Sequence, residues 1–126
     1  MTEALLASFL GGEIDNRAFR HADHLRVAFE LLQRQPFPQA AATFSSALKV
    51  IAAKAGNPGA YHETITLAFL ALIAERRVVG ELDAYEDFAR VNLDLLDKSV
   101  LTRWYTPERL GSGAARKTFI LPEPGR

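Results

Sequence analysis

Hydrophobic side chains recur along most of this chain at intervals of three and four residues, the spacing that places them on one face of an α-helix. The clearest set is Leu25, Ala28, Phe29 and Leu32. Glycine and proline interrupt the pattern at a few places, above all near residues 11–12, 36–38 and 56–59. Both residue types disfavour helix interiors, so these positions divide the chain into separate predicted helices.

The spacing predicts helices over residues 3–10, 18–35, 39–55, 61–79, 84–96 and 98–105, with Pro36 and Pro38 ending the second. The fourth is apolar on nearly every side between Ile65 and Ala74, which is typical of the central helix of a bundle. From Gly111 onward the chain looks loop-like, with one extended piece over residues 117–121. We therefore predict an all-α fold: a single compact bundle of five to six helices over residues 1–126, with an extended C-terminal tail.

Composition narrows the class of protein without naming a function. With 126 residues and 48% hydrophobic content, the chain fits one folded domain and does not fit intrinsic disorder. Lys and Arg (15) balance Asp and Glu (15), which argues against nucleic acid as a partner. The absence of cysteine excludes disulfides, thiolate metal sites and a cysteine nucleophile.

The chain also shows no signal for a membrane or for secretion. Its longest apolar run, Leu67 to Ala74, is far shorter than the roughly 20 residues that a transmembrane helix needs. The N-terminal segment carries Glu3 where a secretory signal would carry positive charge. We expect a cytoplasmic protein that does not bind membranes.

The best functional lead is the placement of the three histidines. His21 and His24 are three residues apart, so a helix would present both imidazoles on one face. His62 opens the fourth predicted helix and shares a face with Ile65 and Thr66. Every histidine therefore lies at the N-terminal end of an apolar helix, and we predict one shared site.

Two kinds of chemistry fit such a site. Three imidazoles and a carboxylate suit Zn²⁺, Fe²⁺ or Mn²⁺, so the candidate metal ligands are His21, His24, His62 and Glu63, with Asp23 as the other carboxylate. Without a metal, a histidine oriented by Glu63 or Asp23 would act as a general base, and the candidate catalytic residues are then His24, His62 and Glu63. A structural polar network that ties the two helices together is the third interpretation.

Arginine and aromatic side chains form a second candidate group near the C-terminus. Arg103 and Arg116, with Trp104 and Tyr105, have the chemistry to clamp a carboxylate or phosphate of a small substrate. In the alternative interpretation, Trp104 and Tyr105 close the core and Arg103 is solvated. The candidate ligand-binding residues of the whole site are Asp23, Tyr61, Thr66, Arg103 and Arg116.

Three motifs resemble those of a family of small, largely uncharacterised bacterial proteins. They are H-x-x-H-L-x-x-A at residues 21–28, Y-H-E-T-x-T at 61–66 and A-R-x-x-F at 115–119. Members often end in Pro-Asp, where this chain has Pro122-Glu123. The resemblance implies a shared site that includes His21, His24, His62, Glu63, Thr66 and Arg116. It implies no reaction.

The sequence therefore predicts a pocket between the second and fourth helices that binds a metal ion or a small polar molecule. His21, His24, His62 and Glu63 would form it. The alternative is a non-catalytic interaction module, for instance a homodimer, in which the histidine cluster is structural.

Overall fold

The computed structural model describes residues 2–11 and 21–124, and their regular secondary structure is entirely helical. The α-helices are α1 (Thr2–Leu10), α2 (His21–Arg34), α3 (Phe37–Lys54), α4 (Glu63–Val79), α5 (Tyr85–Val91), α6 (Pro107–Leu110) and α7 (Gly113–Lys117). Short 3₁₀ helices cover Pro58–Ala60, Leu93–Leu96 and Val100–Arg103. The predicted all-α class is confirmed. The predicted start of the second helix, over residues 18–20, lies outside the described residues.

The turn between α2 and α3 shows how prolines can begin a helix as well as end one. Arg34 ends α2, but α3 already begins at Phe37, with Pro38 in its first turn. The first turn of a helix tolerates proline because its N–H groups have no acceptor within the helix. The prediction that both Pro36 and Pro38 belong to the end of the second helix was therefore wrong for Pro38.

Helix α4 occupies the central position that its apolar sequence predicts. It packs against α2 and α3 on one side and against α7 on another. Its Phe69, Leu70 and Ile73 are buried, and they join the core formed by Leu25 and Phe29 of α2. No helix in the described part of the chain combines the length and hydrophobicity required to cross a membrane.

The helical regions after residue 84 are shorter than predicted. The predicted helix 84–96 breaks at Asn92, whose side-chain amide donates to the Phe88 carbonyl (2.9 Å) and accepts from Arg76 (3.2 Å). A 3₁₀ turn, Leu93–Leu96, follows it. The predicted helix 98–105 is reduced to the 3₁₀ turn Val100–Arg103. Asparagine side chains compete for backbone groups in this way and so favour helix ends.

The segment after Gly111 was predicted to be loop-like, and this was wrong for its first part. Helix α7 forms there because the Ser112 hydroxyl accepts a hydrogen bond from the Ala115 amide (3.1 Å) and caps the helix. After Lys117 the chain is extended, as predicted, and crosses α4. The Thr64 hydroxyl donates to the Thr118 carbonyl (2.8 Å) and accepts from the Ile120 amide (3.1 Å).

Candidate functional site

A cavity of about 260 Å³ lies where the N-terminal ends of α2 and α4 meet α3. All three histidines of the sequence line it. Its polar lining residues are His21, His24, Tyr61, His62, Thr66 and Lys98. Apolar side chains of α3 and α4, including Phe44, Leu48 and Phe69, form the remaining wall. The cavity thus combines an apolar body with a few converging polar groups, as small-molecule sites commonly do.

His21, the first residue of α2, is held in one orientation. Its Nε2 lies 2.8 Å from the Leu95 carbonyl oxygen, and because a carbonyl can only accept, Nε2 carries the hydrogen. The ring also packs against Phe69, with ring centroids 5.0 Å apart. In the neutral imidazole this tautomer leaves the lone pair on Nδ1.

His24 lies three residues further along α2, as the H-x-x-H spacing predicts, and its ring centroid is 6.5 Å from that of His21. Burial lowers the pKa of His24 to about 4, with a further lowering by the charges of His21 and Lys98 and an opposing effect of Asp23. His24 is therefore neutral at neutral pH. Because His24 is uncharged at neutral pH, its imidazole and that of His21 line the same cavity without charge repulsion.

His62 makes structural contacts, which was one of the interpretations that the sequence left open, but they tie the start of α4 to α6 and not to α2. It lies just before α4, in extended conformation (φ −135°, ψ 113°), and it lines the same cavity as Ile65 and Thr66, with which it was predicted to share a face. Its Nδ1 accepts from the Ile65 amide (3.1 Å), which caps the helix, and its Nε2 donates to the Leu110 carbonyl (2.7 Å). Both ring nitrogens are therefore engaged by the protein itself.

Tyr61 and Glu63 form a polar pair beside the cavity. The Tyr61 hydroxyl donates to Glu63 Oε1 at 2.6 Å, and it also interacts with the Thr66 and Ser45 side chains. Burial, and then the Glu63 carboxylate, raise the pKa of Tyr61, so its phenol stays protonated. Glu63 does not belong to the lining, and its carboxylate orients Tyr61 and neither His21 nor His62.

The two predicted arginines and Asp23 do not line the cavity. Arg116 donates to the Gly59 and Tyr61 carbonyls, so it fastens the loop that precedes α4. Arg103 pairs with Asp94 at 2.8 Å. Asp23 acts on His24 through its charge. Of the predicted residues, the structure brings together His21, His24, Tyr61, His62 and Thr66 around one cavity.

Two parts of the cavity lining were not predicted from the sequence: Lys98 and the complete apolar wall. Lys98 is exposed and lines the cavity from the segment between two 3₁₀ turns, more than 70 residues from His21. No motif or spacing in the sequence indicates this contact. Phe44 is buried in the core, and nothing in the sequence shows that it also faces a cavity.

The geometry fits a metal ion poorly. Coordination needs a free nitrogen lone pair on each imidazole, and both nitrogens of His62 already bond to backbone groups. Across residues 2–11 and 21–124 there is no group of three or more His, Asp or Glu side chains arranged to hold a cation. Zn²⁺, Fe²⁺ or Mn²⁺ binding stays a prediction from the sequence, and the contacts in the site do not add support to it.

Comparisons with models of known families, with curated proteins and with solved structures gave no match for this chain. The resemblance to small bacterial proteins stays a prediction that rests on the three motifs. The chemistry of the histidine cavity is therefore the basis for a functional proposal.

Proposed function

We propose that this protein binds a small organic molecule in the histidine cavity. The observation that carries the proposal is that every histidine of the chain, together with Tyr61, Thr66 and Lys98, lines one space of about 260 Å³. Cavities that bury small ligands begin at roughly 300 Å³, so this one suits a fragment-sized molecule.

The polar groups define what such a molecule must carry. His21 offers Nδ1 as an acceptor, because Leu95 holds its Nε2–H. Lys98 supplies a positive charge at the cavity, and no carboxylate of residues 2–11 or 21–124 belongs to the lining. A ligand with a hydroxyl or amide donor for His21 and a negatively polarised oxygen for Lys98 satisfies both groups. If a reaction takes place, His21 is the group oriented to accept a proton.

A panel of fragment-sized hydroxy acids, such as mandelate, tests this proposal against matched alcohols and amines. We expect at least one hydroxy acid to shift the ring NMR signals of His21 and His24. Lys98→Gln should weaken that binding about threefold to tenfold, whereas Lys117→Gln, an exposed lysine outside the cavity lining, should not. If no member of the panel shifts either ring, the proposal is overturned.

A non-catalytic interaction module is the second candidate, and two observations favour it. The contacts of His62 are structural, as that hypothesis requires. In addition, Val78 and Val79 at the end of α4 and Leu93 after α5 are largely exposed apolar side chains. Such residues suit an interface between two copies of the chain. A purely monomeric mass by light scattering would contradict a homodimer.

A further inference from the structure

A second cavity, of about 280 Å³, lies on the other side of Leu101 from the histidines. Helix α4 forms one wall, where Ala68 and Ala71 leave room between larger side chains. The 3₁₀ turn Val100–Arg103 and the residues after it form the opposite wall, and Phe119 and Pro122 of the C-terminal tail complete the lining. Leu101 lines both cavities, and it is the only described residue that does so.

Aromatic rings dominate the wall opposite α4. Trp104, the single tryptophan of the chain, lines the cavity with Tyr105 and Phe119. The Tyr105 hydroxyl donates to the Ile120 carbonyl (2.8 Å), and the Ile120 amide is bonded to Thr64. These two bonds anchor the tail next to Phe119, so the aromatic wall is formed before any ligand arrives.

Among the residues that the structure describes, Glu75 is the only charged one that lines this second cavity. No hydrogen bond or ion pair engages its carboxylate among the described residues. Neighbouring cations are directed elsewhere, since Arg76 pairs with Asp94 at 2.6 Å and the Arg77 guanidinium lies 5.9 Å from the centre of the Phe29 ring. The cavity therefore carries one uncompensated negative charge beside aromatic faces, which themselves attract cations.

We propose that this second cavity is a binding site for a small amphiphilic monocation, namely a protonated primary amine on an aromatic or branched alkyl body. The body lies between the alanines of α4 and the Trp104 ring, and the ammonium group pairs with Glu75. Charge complementarity selects the cation, and the volume of about 280 Å³ limits the body to one ring or a short branched chain. This site is independent of the histidine cavity and of the function proposed for it.

Trp104 provides a direct readout, because it is the only tryptophan and it lines the proposed site. Titration with 2-phenylethylammonium should change Trp104 fluorescence in a saturable way. The neutral 2-phenylethanol and the anionic 3-phenylpropanoate have the same ring but not the positive charge. We expect the ammonium compound to bind about fivefold to tenfold more tightly than the alcohol, and the carboxylate to bind least.

Two variants with matched controls locate the binding. Glu75→Gln removes the charge and should weaken binding of the amine about fivefold to tenfold without affecting the alcohol, whereas Glu108→Gln, an exposed acid on α6, should change neither. Ala71→Leu fills the space and should abolish binding of both compounds. Ala42→Leu makes the same change at an exposed position of α3 that lines neither cavity, and it should have no effect.

Any of three results would overturn the proposal. They are equal affinity for the amine and the alcohol, an unchanged amine affinity in Glu75→Gln, and no saturable fluorescence response at about 10 mM amine. Glu75 is exposed, so Glu75→Gln should keep the fold, and it decides the outcome even if Ala71→Leu lowers the stability of α4.

Discussion

His62 illustrates how one side chain can be a plausible ligand in the sequence and a structural link in the fold. The Y-H-E-T context suggests chemistry, but the imidazole caps α4 through Nδ1 and joins the Leu110 carbonyl through Nε2. One bond is local and the other connects positions 48 residues apart. A single residue therefore fixes both the start of α4 and the position of α6 beside it.

Replacing His62 by alanine should lower the free energy of unfolding by about 1–3 kcal/mol, because it removes a helix cap and a buried hydrogen bond. His62→Asn should recover part of this loss, since asparagine is a good cap but is too short to reach Leu110. Urea denaturation of the two variants measures the difference. If both variants are as stable as the wild type, His62 does not have this structural role.

At the scale of elements, the C-terminal tail is attached to α4 mainly through Thr64. This side chain is fully buried, and its hydroxyl makes one bond as a donor and one as an acceptor to the tail backbone. The extended segment pairs with no strand in the described part of the chain, so these bonds replace the backbone pairing that a strand would have. The tail in turn helps to form the wall of the second cavity through Phe119 and Pro122.

Thr64→Val should loosen the attachment of the tail to α4 without changing the volume of the core, while the bond from Tyr105 to the Ile120 carbonyl remains. It leaves the Ile120 amide and the Thr118 carbonyl without their partner, at a cost of about 1–3 kcal/mol. Amide hydrogen exchange at Ile120 should become faster by at least about tenfold. Thr64→Ser keeps the hydroxyl and should keep Ile120 protected, so equally fast exchange in both variants would contradict this role.

At the scale of the whole molecule, the burial of His24 makes the free energy of unfolding depend on pH. The pKa of His24 is about 4 in the fold against 6.5 in a model compound. Above pH 6.5 both the folded and the unfolded chain hold His24 neutral. As the pH falls from 6.5 to 4, the unfolded chain gains a proton that the folded chain does not, so this contribution to stability is progressively lost.

We therefore expect the wild type to lose stability on acidification from pH 7 to pH 5, with a slope from His24 of up to about 1.4 kcal/mol per pH unit. His24→Gln lacks the titrating group, so its stability should fall less steeply over the same range. Urea midpoints at the two pH values provide the comparison. The lowered pKa of Asp94, which Arg76 and Arg103 cause, acts in a more acidic range and does not affect this difference. Parallel slopes for the wild type and the variant would contradict the assignment to His24.

Features that depend on residues close together in the chain could be predicted from the sequence. Helical periodicity identified the buried face of α2, and the H-x-x-H spacing placed His21 and His24 on one cavity, because residues three apart on a helix are adjacent. The apolar stretch of α4 likewise indicated its central position.

The partners of these residues, in contrast, depend on how distant parts of the chain pack together. Lys98 lines the cavity with the histidines, Leu95 orients His21, and Leu110 engages His62, because segments that follow α5 pack against α2 and α4. The same packing leaves Glu75 beside Trp104 in the second cavity. No local pattern encodes such contacts, since they join side chains that are far apart in the chain and depend on the angles and distances at which whole helices meet.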